Sequence, residues 1–257
     1  MNLMSCKKIS VYKPLGITPF DVIKIIKDIN PKMRDLKMAY AGRLDPMADG
    51  VLLLIVGNEL KNFDRYLSLK KRYEAKILIG FSTDSYDLLG LPERHKKKKD
   101  DKIEDFLLSL PGKDFTFRLP PFSSYKIEGK PLFKWALENR LDEIEIPKKT
   151  VKIESLKLNQ KTTVSEKELS ELINEKIGSV VGNFRQKEIK RRWSEILTGK
   201  GSYSVYEIDI RADSGFYVRS LADFLGQKFN TGGCLLSLTR TEIGNFKIKK
   251  APNPWDF

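Results

Sequence analysis

Six consecutive apolar residues, Val51 to Val56 in GVLLLIVG, are closed off by Gly50 and Gly57. The run is far shorter than the ~18 apolar residues of a membrane-spanning helix. It also lacks the polar alternation of a half-exposed strand, so it predicts a strand buried on both faces. Any fold of this chain must place that strand in its interior. The residues just before it, AGRLDPMAD, break the pattern: Asp45 sits six positions upstream of the run, in a loop built from Gly42, Pro46 and Gly50. A carboxylate is thereby held at the edge of the core.

Other elements follow from capping and periodicity. In GITPFDVIKIIKDIN, Thr18 suits an N-cap and Pro19 the first helical position, with Val22, Ile25, Ile26 and Ile29 as an apolar stripe. RYEAKILIG alternates Tyr73, Ala75, Ile77 and Ile79 with Glu74 and Lys76, a second strand with one polar face. VKIESLKL and SYSVYEIDIRA read as further strands, LFKWALENR and YVRSLADFLGQKF as helices. No regular βαβ rhythm appears, which predicts an α+β fold with a mixed, mostly antiparallel sheet flanked by helices. Residues 93–105 read as a mobile, highly charged surface loop, and residues 160–201 as an insertion of two helices.

Composition narrows the chemistry. Lys and Arg number 47 against 34 Asp and Glu, a net charge of +13, which attracts RNA, DNA or acidic lipid surfaces. No secretory signal opens the chain. Cys6 and Cys234 lie far apart without a CxxC pair, so no disulfide framework or zinc site is expected and a reducing, cytoplasmic setting fits. His95 is the only histidine, in the run RHKKKKDDK that reads as a solvated loop. That argues against a Ser-His-Asp triad, a Cys-His dyad or a multi-histidine metal site. Neither a phosphate-binding P-loop nor GxGxxG occurs. Carboxylates, tyrosines, lysines and arginines remain to carry any catalysis. In the second insertion helix, Ile189, Trp193, Ile196 and Leu197 form a stripe, and Arg185, Lys187, Lys190, Arg191 and Arg192 occupy the rest. Those cations are either the wet back of a packed helix or contacts to an RNA backbone.

Three more segments accompany GRLDPMADGVL: KPLGIT at Lys13 to Thr18, LPPFSSYKIEGKPLF at Leu119 to Phe133, and SGFYVRSLADFLG at Ser214 to Gly226, which leads into LSLTRTEIG at Leu236 to Gly244. Together, in that order over residues 13 to 244, they resemble the pseudouridine synthases, most closely the TruB type that modifies uridine 55 in the T loop of tRNA. The resemblance implies a pseudouridine synthase fold and an isomerase that acts on the T arm of tRNA without a cofactor or metal. Asp45 then matches the catalytic aspartate, and Tyr73 the tyrosine that stacks on the target base. Arg219 matches the arginine that pairs with the catalytic carboxylate, with Tyr217 two residues before it. Leu238 matches the apolar residue on the other side of the uracil, and Lys13 the lysine of the opening turn. Tyr40, Arg43, Lys126, Arg185, Arg191, Arg192 and Arg240 are further candidates for contacting RNA.

The chemistry suits those residue types. Uracil must leave C1′, rotate and rejoin through C5, with no redox change. A carboxylate in a dry pocket can attack the base, attack the sugar or remove the 2′ hydrogen. Burial would raise an aspartate from about 3.9, and a neighbouring guanidinium opposes that rise by about 1–3 units.

The chain departs from the TruB pattern at Pro19, in place of a serine, and at Tyr40, in place of a histidine. Arg43 replaces a small residue and Thr239 an arginine. Gly-Arg-Leu-Asp also occurs in ribosomal RNA pseudouridine synthases of the RsuA and RluA types, a second reading. A non-catalytic RNA-binding module is a third. Only NFKIKKAPNPWDF follows Gly244, short of the ~50 residues of a small domain. The expectation is a single catalytic domain over residues 1–257, monomeric, without a C-terminal PUA domain.

Overall fold

The structure is a computed structural model and describes residues 8–96 and 100–257. The glycine-bounded run becomes β3 (Ala48–Val56), buried along nearly its whole length. β1 (Lys8–Lys13) pairs with it on one side and β2 (Met38–Tyr40) on the other. β12 (Gly233–Ile243) joins β3 in parallel, setting Leu238, Thr239 and Arg240 opposite Ala48, Asp49 and Gly50. Gly50 holds φ at +113°, and a Cβ there would lie 2.2 Å from the Arg240 carbonyl oxygen. Only glycine lets the two backbones meet.

β4 (Lys71–Ile79), β11 (Ser202–Ala212), β10 (Lys148–Ser165) and β7 (Asp114–Arg118) complete the sheet, in the order β1-β3-β12-β4-β11-β10-β7. Among the described residues every strand pairing except β12 with β3 is antiparallel. The expected sheet class holds. β13 (Phe246–Lys247) folds back on β12. β5 (Phe81–Thr83) pairs with β6 (Pro92–Arg94), and β8 (Lys126–Ile127) with β9 (Lys130–Pro131).

Among the described residues seven helices flank the sheet: α1 (Pro19–Ile29), α2 (Phe63–Leu67), α3 (Asp101–Leu108), α4 (Leu132–Leu137), α5 (Glu166–Gly178), α6 (Gln186–Ile196) and α7 (Val218–Phe229). Strand alternation sorts the core into two layers. Tyr73, Ala75, Ile77, Ile208 and Leu238 face α7 and α3, while Leu78, Val205 and Leu236 face α5 and α6. Thr18 caps α1, its hydroxyl accepting from Asp21 N while the Asp21 carboxylate accepts from Thr18 N. The buried face is Pro19, Val22, Ile23 and Ile26. The predicted stripe is therefore rotated, and Ile29, in the last turn, is exposed.

Two sequence expectations need correcting. Residues 160–165 are strand, not helix: β10 runs on to Ser165, pairing against β11 as far as Ser202. Thr162, Thr163 and Val164 are β-branched and favour that extension. Residues 93–105 are also largely ordered. Glu93 and Arg94 belong to β6, and Ile103 and Leu107 bury one face of α3. His95 is anchored rather than free, its Nε2 2.7 Å from Ser82 Oγ and its amide donating to Gly80 O. Residues 97–99 of that stretch, and Cys6, lie outside the described residues.

Candidate active site

Asp45 lies in the loop between β2 and β3, whose path is fixed mainly by one side chain from the sheet. Arg240 of β12 is fully buried and donates Nε to Val51 O (2.8 Å), Nη1 to Arg43 O (3.1 Å) and Nη2 to Gly42 O (3.2 Å). The rigid guanidinium fork thus ties the loop to β3. The sequence suggested an RNA contact for Arg240; the structure turns it inward. Pro46 O accepts from Gly16 N at 2.8 Å, so the Lys13–Thr18 turn closes over the same loop.

Arg219 enters from the first turn of α7. Its Nε lies 2.8 Å from Asp45 Oδ2 and 3.7 Å from Asp87 Oδ2. Nε makes no aligned hydrogen bond, so these are charge contacts. Alignment comes from the other two nitrogens: Nη1 donates to Ser85 O (2.7 Å) and Nη2 to Phe122 O (3.3 Å). Asp87, which the sequence reading missed, is buried and accepts from Ser85 Oγ (2.7 Å) and Leu89 N (3.0 Å). Burial pushes its carboxyl up to about 6, against the pull of Arg219 and with a further push from Asp45. A signal existed. Asp87 directly precedes Leu88 and Leu89, a carboxylate beside an apolar run, like Asp45 before Val51.

Asp45, Met47, Ala48, Asp87, Leu235 and Leu238 surround a cleft of only about 10 Å³, room for about one water molecule. A uracil therefore enters only as these side chains move apart. Leu238 sits opposite both Ala48 and Ala75. The phenols of Tyr73 and Tyr217 are both pushed up, chiefly by burial; Arg240 opposes the shift at Tyr73, and the Asp45 charge adds to it at both. Asp45, Arg219, Leu238, Tyr73 and Tyr217 thus converge. Lys13 plays a different part. It is fully buried, donates to Pro14 O (2.9 Å) and Ile17 O (2.8 Å), and is pushed down to about 7 by burial. Its ammonium shapes the opening turn.

Of the candidate RNA contacts, Arg43 is exposed and donates to Tyr40 Oη at 3.2 Å, its guanidinium 5.9 Å from the Tyr40 ring centre. Tyr40 also lines a groove of about 620 Å³ together with Phe20, Lys24, Lys27, Arg34 and Phe63. Lys126 is exposed on β8. Arg191 and Arg192 are exposed on α6, 3.6 Å and 3.2 Å from the carboxylate of Glu195. Arg185 is committed internally: Nη1 lies 2.9 Å from Asp84 Oδ2, and the guanidinium sits 4.4 Å from the Phe122 ring centre.

A mixed, mostly antiparallel sheet flanked by helices, with a loop carboxylate held against a buried helix guanidinium and a buried and a half-buried tyrosine beside them, is the fold and arrangement expected of a pseudouridine synthase. Residues 30–181 match the TruB family pseudouridylate synthase (N terminal domain), and the chain belongs to that family. That favours the TruB reading over the RsuA and RluA types. The tRNA pseudouridine synthase B of Clostridium tetani is 30% identical over 249 residues, covering 95% of this chain and 70% of the relative. The Malacoplasma penetrans protein of the same name is 27% identical, covering 97% and 90%. Among solved structures, the archaeal box H/ACA sRNP Nop10-Cbf5 complex superposes with a TM-score of 0.55 at 16% identity over 97% of this chain. This chain spans about half of that one, 53% of its length, and the likeness is one of fold. No helix of the described residues is long and apolar enough to cross a membrane.

Proposed function

We propose that this chain isomerises uridine to pseudouridine in tRNA, at uridine 55 of the T loop, acting as a monomer through one catalytic domain into which residues 160–201 are inserted. The observation that carries the reading is the 2.8 Å pairing of Asp45 with Arg219 at the rim of a cleft walled by Leu238. In this reading the Asp45 carboxylate acts on the flipped uridine, Tyr73 and Leu238 hold the two faces of the uracil, and Arg219 fixes the carboxylate's direction. Flipping a base costs a few kcal/mol; an aromatic platform returns about 1–3 kcal/mol. The relatives' common name, tRNA pseudouridine synthase B, supports tRNA as the substrate.

The groove beside α1 supports a path for the RNA strand that adjoins the flipped nucleotide. Phe20, 68% exposed, offers a stacking face, and Lys24, Lys27 and Arg34 supply positive charge. Tyr40 and Arg43 join the groove to the Asp45 loop.

Tritium release from 5-tritiated uridine in a T-arm hairpin tests the proposal, with ribosomal RNA fragments run in parallel. The T-arm should react, and Asp45→Asn should lose at least about 10⁴-fold in rate, the scale seen on removing one member of a catalytic unit, while binding the hairpin as tightly. Release from the ribosomal fragment alone would overturn the tRNA assignment, and an Asp45→Asn variant as fast as the parent would overturn the site.

A further inference from the structure

The inserted segment does not stop at covering the sheet. It reaches two pieces of backbone around the reacting centre, and two side chains between them. Past the end of α5, Val181 N donates to Gly16 O at 2.9 Å, and a Cβ at Gly16 would lie 2.2 Å from Ser179 O. The opening turn and the insertion are therefore packed backbone to backbone. From α6, Trp193 Nε1 donates to Leu88 O at 3.3 Å. Between these contacts stands Arg185, which begins α6 in the left-handed region at φ +62°, uncommon for a residue with a side chain.

Two guanidiniums meet the same two loops. Arg185 grips Asp84 Oδ2 and lies over the Phe122 ring. Arg219 takes the carbonyls of Ser85, the residue after Asp84, and of Phe122 itself. Asp84 Oδ1 also accepts from Leu91 N at 2.8 Å, so its carboxylate ties the 84–91 loop shut while Arg185 holds it from outside. The aligned hydrogen bonds of Arg219 go to those two carbonyls, which direct its guanidinium alongside the ion pairs that its Nε makes with Asp45 and Asp87.

We infer that Arg185 is a positioning residue for the isomerisation: by clamping Asp84 and Phe122 it fixes the two carbonyls that aim Arg219 at Asp45. The inference rests on the Asp45–Arg219 reading of the active site. It makes the insertion a working part of the centre and gives Arg185 a role distinct from phosphate binding. Displacing a reacting group by about 1 Å can cost ~10²-fold in rate, so a clamp one residue removed carries leverage without touching RNA.

The test is single-turnover tritium release at saturating T-arm RNA, beside RNA affinity as a function of salt. Arg185→Met should slow turnover by about 10- to 100-fold with affinity and salt slope unchanged. Arg185→Lys, which keeps the charge but loses the planar stack, should fall between. Asp84→Asn, which retains the oxygen facing Leu91 N, should match Arg185→Met, and the double variant should be no slower than either, because both break one link. If Arg185→Met does not fold, Asp84→Asn and Phe122→Leu carry the same test. A salt slope lowered by about 0.7–0.9 with turnover intact would make Arg185 a phosphate contact, and a lower melting temperature with turnover intact would make it a packing residue; either overturns the clamp. A parent chain inactive on every RNA would remove the active-site reading itself, whereas an active parent with unaffected Arg185 variants removes the clamp alone.

Discussion

The centre around Asp45 and the groove beside α1 meet at Tyr40 and Arg43, yet they are built on opposite rules. At the centre each charge is answered: Arg219 faces Asp45 and Asp87, and Arg240 spends its donors on three carbonyls. In the groove Lys24, Lys27 and Arg34 make no ion pair among the described residues, and Phe20 shows its ring to solvent. Charges that must direct a reaction are desolvated and fixed in advance, because a dry site strengthens every electrostatic interaction and needs no reorganisation during the step. Cations that catch a polyanion, the part proposed for the groove, gain from staying wet, since such binding is driven by displaced counterions.

The largest break in that contrast comes from Arg219→Met. It leaves Asp45 and Asp87 facing each other without compensation, and removing one member of a buried pair costs about 3–5 kcal/mol. Solvent screening at the 26% exposed Asp45 side chain places the expected loss at the low end. Urea unfolding should show it, and adding Asp87→Asn should restore part of the stability. A variant as stable as the parent would mean that the centre is no more preorganised than the groove.

Asp87 sharpens the comparison through pH. Its carboxyl is raised from 3.8 to about 6, so between those values the folded chain holds a proton that the unfolded chain releases. The contribution to stability is full below about 4 and is lost as pH rises through 6. Function runs the other way, because the carboxylate that restrains Arg219 exists only above about 6. Turnover at saturating RNA should therefore decline below pH 6, and Asp87→Asn should abolish that limb while lowering the plateau. Relative to Asp87→Asn, the parent should lose stability from pH 4 to 6. An acid limb unchanged in the variant would assign it to another group.

The same contrast explains what the sequence made legible. The convergence of Asp45, Tyr73, Arg219 and Leu238 was readable only through the joint resemblance to the pseudouridine synthases, because each alone reads as a turn former, a core residue or a surface ion-pair partner. Arg240 was misread as an RNA contact, since an arginine in a sequence is a surface residue by default; Arg185, read the same way, is held by Asp84 and Phe122. What buries Arg240 is a set of carbonyls at 42, 43 and 51, brought to it only by the parallel pairing of β12 with β3. Asp87 looked like any turn aspartate until the fold set it 3.7 Å from Arg219. The strand at 160–165 hid behind polar composition, its partner lying some forty residues on in β11. Local pattern carried the elements, and the joint resemblance the motif residues; charges whose partners are distant in sequence became visible only in three dimensions.

The groove gives the smallest effect and the clearest separation. Replacing Lys24, Lys27 and Arg34 with alanine should lower the slope of log affinity against log salt by about 0.7–0.9 for each phosphate left without its cation. Phe20→Ala should cost affinity by up to about 1–3 kcal/mol if a base stacks there. Neither change should alter turnover at saturating RNA, because no groove side chain is bonded to Asp45, Arg219 or Asp87. Filter binding of the T-arm hairpin between 50 and 200 mM salt, the range over which phosphate neutralisation tells, reads the slope directly. A triple variant with the parent's slope would take RNA out of the groove, and one with the parent's affinity but slower turnover would tie the groove to the chemistry and erase the distinction between the two regions.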